Sequence, residues 1–270
     1  MTHIKRILLV LLLTVPAVCQ GQMTIRQQSY PVTLPSEDEN IDWQQDIYRE
    51  ISLYDRENQG LYCPVEPTEH QKGLFTLLFQ LAVKRYVPIY RYNLDGEEKL
   101  NEQGKADIKE IMRNHHIFYT EEDSMLIVND EDIPASDILM YYIKEGVYYD
   151  QSNSAFRTKV QAICPVLLQS DEFGEGVTRY PLFWMRYQDI ETYLTERTII
   201  PDYQNKADRI SLADYFTLNR YRGQIYKVAN AFGTTLRQSN DNDSVLHDSR
   251  QLIEQNIKRV KKQTYNIYTR

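Results

Sequence analysis

The side chains able to do chemistry are sparse in this chain and poorly spaced for it. His115 and His116 are adjacent. A helical zinc pair needs its two imidazoles four residues apart on one face, and neighbours on a helix point apart, so no metal role is expected here. Gly174-Glu175-Gly176 is rich in glycine but lacks the Lys-Ser or Lys-Thr that gives a phosphate loop its meaning. Asn240-Asp241-Asn242-Asp243 resembles the start of a calcium loop, yet it has neither the glycine at the sharp turn nor the closing bidentate glutamate. A solvated linker explains it better. Acidic pairs such as Glu97-Glu98 and Glu121-Glu122-Asp123 read as solvated turns, and nothing singles out two carboxylates as acid and base. No nucleophile elbow is present. No catalytic residue, cofactor site or metal site is expected, and the chain reads as a non-enzyme. Cys63 and Cys164 each precede a proline and are a candidate disulfide; two buried free thiols are the alternative.

The start of the chain bears on that cysteine chemistry. Lys5 and Arg6 precede a continuous apolar run from Ile7 to Val15, and polar Gln20-Gly21-Gln22 follows. This is the pattern of a secretory signal peptide, placed at residues 1–21. The run falls short of the ~20 residues a spanning helix needs. Cleavage fits after Cys19 or after Gly21. Lipidation of Cys19 is disfavoured, because Pro16 and Val18 occupy the positions where lipoprotein signals carry a leucine-like and a small residue. The expected mature chain is exported and without a transmembrane segment. Losing Lys5 and Arg6 takes the formal charge from −7 to −9, which disfavours nucleic acid as a partner.

Residues 22–40 are polar and punctuated by Pro31 and Pro35, an extended N-terminal arm. Ile41, Ile47, Ile51 and Tyr54 share a helical stripe, with Trp43 beside it, so residues 41–55 read as a helix. Thr68 is placed to cap a second helix, apolar nearly all round and therefore buried, through residues 73–86. A strand is expected over Val87–Tyr92, a turn at Leu94-Asp95-Gly96, a short helix over Ala106–Asn114, and short strands at Phe118 and Met125–Val128. Pro134-Ala135-Ser136-Asp137 reads as a helix start, with Ile138, Leu139, Tyr142 and Ile143 as its apolar side. Phe156–Leu168 alternates as a long strand, with Phe156, Thr158, Val160, Ala162 and Cys164 on one face. Residues 171–176 form a loop from which a second strand returns. Asp189 is placed to cap a helix through Leu194. Ser211-Leu212-Ala213-Asp214 is a capping box for a short helix, and Gln224–Ala229 is a last strand. Residues 237–270 are a polar linker and a helical tail with a basic end. The whole is an α+β fold: one domain over residues 41–236, with an antiparallel sheet packed by helices.

The returning strand reads Arg179-Tyr180-Pro181-Leu182-Phe183-Trp184-Met185-Arg186-Tyr187. Both of its faces are apolar and aromatic, so both need cover. The chain holds 21 Tyr against 8 Phe and 2 Trp. Tyrosine, with an apolar body and a polar tip, suits surfaces that are buried on assembly.

Four blocks resemble the GldN/PorN family. They are Asp46–Ile51 with Asn58 and Leu61-Tyr62-Cys63-Pro64; Tyr141–Asp150 and the turn to Ser154 with Ile163-Cys164-Pro165; Pro181-Leu182-Phe183-Trp184 with Tyr187 and Asp189; and Ser211–Asn230. They occur in order across most of residues 41–236. Gly146-Val147, where an aromatic acidic stretch is usual, and Gln188, where a proline is usual, depart from the pattern. The resemblance implies a structural subunit of a ring beneath the outer membrane, in the type IX secretion system of Bacteroidota. That ring also serves gliding motility in some relatives. It implies self-assembly and two partners: a GldK/PorK-type lipoprotein and the periplasmic part of a GldM/PorM-type motor protein. Tyr148, Tyr149, Phe183 and Trp184, with Lys144 and Glu145, are the expected contact residues; the alternative is that they pack inside the domain. A rival reading is a periplasmic module binding glycan or peptide in an aromatic-lined groove.

Overall fold

A computed structural model of the chain describes residues 41–62, 73–93, 98–150, 155–170, 177–201, 209–228 and part of 250–262. The signal peptide, the arm, Thr68, the turn at residues 94–96 and the loop at residues 171–176 lie outside the described residues.

Six antiparallel strands form the main sheet. They are β1 (Ile41–Ser52), β4 (Ile138–Asp150), β5 (Ala155–Ser170), β6 (Val177–Pro181), β7 (Met185–Arg186) and β10 (Gln224–Val228). The order is β10-β1-β4-β5-β6, with β7 also paired to β5. Helices α1 (Leu74–Val83), α2 (Ile108–Asn114), α3 (Tyr187–Thr195) and α4 (Leu212–Thr217) share one core cluster with it. Two small hairpins complete the fold: β2 (Thr120–Glu122) with β3 (Met125–Ile127), and β8 (Thr198–Ile199) with β9 (Ile210–Ser211). The α+β class with an antiparallel sheet is as the sequence predicts. None of the helices is long and apolar enough to cross a membrane, among the described residues.

Two expected helices are strands. Residues 41–52 form β1, and residues 138–150 form β4 behind a short 3-10 turn over Ala135–Asp137. The four-residue spacing of Ile47 and Ile51 satisfies a period of two as well as one of 3.6. β1 pairs on both sides, Ile47 facing Glu145 of β4 and Val228 of β10. β4 lies between β1 and β5 and is buried on both faces, so its apolar residues run on without alternating.

On one face, Ile51, Tyr141, Ile143, Ile163 and Met185 meet buried apolar residues of helices α1, α3 and α4. α1 buries every residue but Gln80, and Gly73 holds its N-cap. Further along the strands, Ile47, Val147 and Ile225 meet Ile253 and Ile257 of the tail, whose described residues are helical. The opposite face carries Tyr48, Tyr142, Cys164, Trp184 and Tyr226, closed over by Tyr90, Tyr92 and Leu100. Tyr90 bridges Trp184 through paired backbone hydrogen bonds of 2.9 and 2.8 Å; this isolated bridge stands where a strand over Val87–Tyr92 is expected.

The pairing of β4 with β5 slips by one residue between Lys144 and Glu145, which leaves Gln161 unpaired as a bulge. Val160 therefore joins the helix-covered face while Ala162 and Cys164 join the aromatic one. The single face expected for Phe156 through Cys164 is divided at that residue. The capping box reads through, Ser211 Oγ accepting the Asp214 N–H at 2.9 Å, whereas Asp189 lies in the first turn of its helix and Arg186 holds the N-cap. β5 and β6 form the expected hairpin.

Candidate functional site

The aromatic strand of residues 179–187 finds its cover within the chain. It breaks at Leu182-Phe183, between β6 and β7. Phe183 and Met185 then fall on the helix-covered face, and Trp184 falls on the other. Trp184 and Phe183 are fully enclosed. Trp184 meets Tyr48 edge-on at 6.1 Å and stacks with Tyr92 at 6.4 Å. Tyr142 and Tyr226 pack at 4.3 Å beside them. Tyr149 is buried against Phe156, and Tyr148 is 7% exposed. The expected contact aromatics are thus interior residues of this fold.

Lys144 and Glu145 are interior too, and they belong to two separate ionic clusters, because adjacent strand residues face opposite ways. On the aromatic face, Lys144 Nζ lies 3.1 Å from Asp46 Oδ2 and 5.6 Å from the Tyr48 ring centre. Gln161 Nε2, from the bulge, donates to Asp46 Oδ1 at 2.9 Å. Lys227 Nζ lies 4.7 Å from the same ring and 3.0 Å from Glu98 Oε1, in a pair sealed from solvent. Two ammonium groups thus share one electron-rich ring, each with its own carboxylate. On the helix-covered face, Arg49 grips Glu145 through Nε at 2.9 Å and Nη2 at 3.3 Å, while its Nη1 donates to the Gly223 carbonyl at 3.0 Å. The Tyr221 hydroxyl lies 2.9 Å from Glu145 Oε1. Burial and that carboxylate push the Tyr221 phenol well above its ordinary range. A β-carbon at Gly223 would sit 2.4 Å from the Glu50 carbonyl oxygen, so only glycine lets these backbones approach.

These clusters tie β1, β4 and β10 together. Cys164 is a free thiol, fully buried on the aromatic face, and burial pushes its pKa well up. Cys63 lies outside the described residues. His115 and His116 end α2, with His115 edge-on to Tyr180 at 5.6 Å. Residues 240–243 lie outside the described residues. Among the described residues no group of three or more His, Cys, Asp or Glu is placed to hold a metal ion.

The open feature is elsewhere. A groove of about 410 Å³ runs between the end of α1 and β3. Phe79, Val83, Leu126 and Ile133 form its floor, all buried. Tyr86, Met125 and Ile127 stand at its rim, 65%, 64% and 40% exposed. Lys84 and Arg85 lie at the α1 end. The sequence reading places a short strand at Met125–Val128 but misses the surface. The available signal was that a small hairpin with Met125 and Ile127 on one side cannot bury both without a partner.

A family model described as gliding motility associated protein GldN matches residues 36–266. The chain belongs to this family. The match covers every described strand and helix of the fold, both ionic clusters and the groove. No curated protein matches the chain. Membership in GldN makes this a gliding-motility-associated chain of a family not known for catalysis.

Proposed function

We propose that this chain is a non-enzymatic structural subunit of the periplasmic ring of a type IX secretion system, supporting protein export across the outer membrane and, where present, gliding. In this reading it assembles with copies of itself, with a GldK/PorK-type lipoprotein and with the periplasmic part of a GldM/PorM-type motor protein. The observation that carries it is the GldN match over residues 36–266. The signal-peptide pattern of residues 1–21 supports export. The rival, an aromatic-lined groove for glycan or peptide, finds no support in the aromatic residues meant to line it, because Trp184, Phe183 and Tyr149 are enclosed. Light scattering on the mature chain mixed with its lipoprotein partner is expected to give a complex many times the monomer mass. Deleting the gene is expected to stop secretion and surface spreading. A persistent monomer, or a deletion strain that secretes and spreads normally, overturns the reading.

A further inference from the structure

The groove between α1 and β3 has a free strand edge as well as an apolar floor. Among the described residues β3 pairs with β2 alone, and β3, not β2, lines the groove. An unpaired edge beside exposed apolar side chains is a template for an added strand. We propose that the groove receives residues 29–39 of a second copy of this chain, laid along β3. The inference rests on the ring reading above and names the contact between neighbouring subunits.

Three observations select this occupant. First, Tyr30, Val32 and Leu34 alternate with Ser29, Pro31 and Thr33. That period of two gives one apolar edge to lay on Phe79, Val83 and Ile133, and proline is tolerated in a strand at a sheet edge. Second, Glu37-Asp38-Glu39 follow directly. Lys84, whose Nζ lies 5.9 Å from the Tyr86 ring centre, and Arg85 stand at the groove end, so three carboxylates meet two cations.

Third, a chain's own arm leaves β1 from the end away from the start of β4. Ile133 on the groove floor leads into the start of β4, which lies beside the end of β1 where Ser52 faces Met140. The arm joins β1 at Ile41, which faces Asp150 at the far end. That strand spans about 36 Å at ~3.3 Å per residue. The chain from Leu34 to Ile41 stretches to about 25 Å at most, and that from Glu39 to far less. An arm that leaves one end and a groove that opens near the other make a head-to-tail contact, the kind that closes into a ring.

The test uses the full mature chain with a photo-cross-linking residue at position 34, as an equal mixture of isotopically light and heavy copies assembled with the lipoprotein partner. Cross-links are expected on peptides holding Tyr86 or Met125, and between light and heavy copies. Ile127→Lys, at an exposed position, is expected to abolish them. Lys84→Glu with Arg85→Glu is expected to weaken them several-fold, and Glu37→Lys, Asp38→Lys and Glu39→Lys in the same chain to restore them. Cross-links within one copy, onto the lipoprotein or elsewhere on the chain overturn the inference, as does a charge reversal that is not rescued. Large assemblies whose cross-links fall elsewhere leave the ring reading standing. A chain that stays monomeric fails both.

Discussion

Lys227 and Glu98 form the most deeply buried ion pair described, at 1% and 0% side-chain exposure. Their attraction is offset by the loss of hydration that both charges suffer, so removing one partner does more harm than removing both. Lys227→Met is expected to destabilise the fold by ~3–5 kcal/mol, because Glu98 is left charged and dry. Adding Glu98→Leu is expected to recover most of that loss. Urea unfolding of the two single variants and the double variant checks it, and a single variant as stable as wild type removes the pair from the account. Lys227 sits in a strand that the sequence makes plain, but Glu98 belongs to an acidic pair that reads as a solvated turn, and the fold buries it because Lys227 supplies the counter-charge. Trp184 and Phe183 are the opposite case. Their types told that they would be buried, and only the fold tells that the burial happens within the chain.

Strands that alternate were legible, and strands buried on both faces were not. β5 and β10 stand where their patterns put them, and the helices over Leu74–Val83, Ile108–Asn114 and Leu212–Thr217 sit behind readable caps or apolar runs. β1 and β4 read as helices in the sequence, because apolar residues four apart or in a continuous run carry no period that separates the two structures. The bulge at Gln161 was invisible, since an extra residue in one strand shows only against its partner. The tail helix was legible as a helix, while its seat on Ile47, Val147 and Ile225 was not. Ile257 is 9% exposed in that seat. Ile257→Asp is expected to release the tail and destabilise the sheet end by about 2 kcal/mol or more, the range for losing a buried aliphatic side chain. Faster amide exchange at Val147 and Ile225, with Ile143 and Ile163 still protected, would show it. Unchanged protection at all four would mean the tail contributes nothing to that end.

Over the whole molecule, tyrosine sets the response to alkali. Burial raises the phenols of Tyr92, Tyr142, Tyr215, Tyr221 and Tyr226, and holds that of Tyr187 at about 12. In the unfolded chain the same groups titrate near pH ~10. The folded state therefore binds protons more tightly, and its stability is intact below pH ~10 and falls as pH climbs from there toward the folded values. Absorbance at the tyrosinate band is expected to rise in two stages. The buried set makes up the later stage, together with loss of aromatic circular dichroism. A single stage near pH ~10 with the dichroism intact would contradict the packing described.

The order of the sheet also has a temporal meaning. β1 leaves the ribosome first among the strands, yet Ile47 needs Glu145 on one side and Val228 on the other. Until those distant residues have been synthesised, the strand that becomes the second in the sheet has both edges open. Local pairing cannot rescue it, since the contacts that close the sheet are long in sequence and slow to form. The newborn chain thus carries an adhesive segment through most of its own synthesis, and it depends on a holding partner, or on speed, to arrive unaggregated.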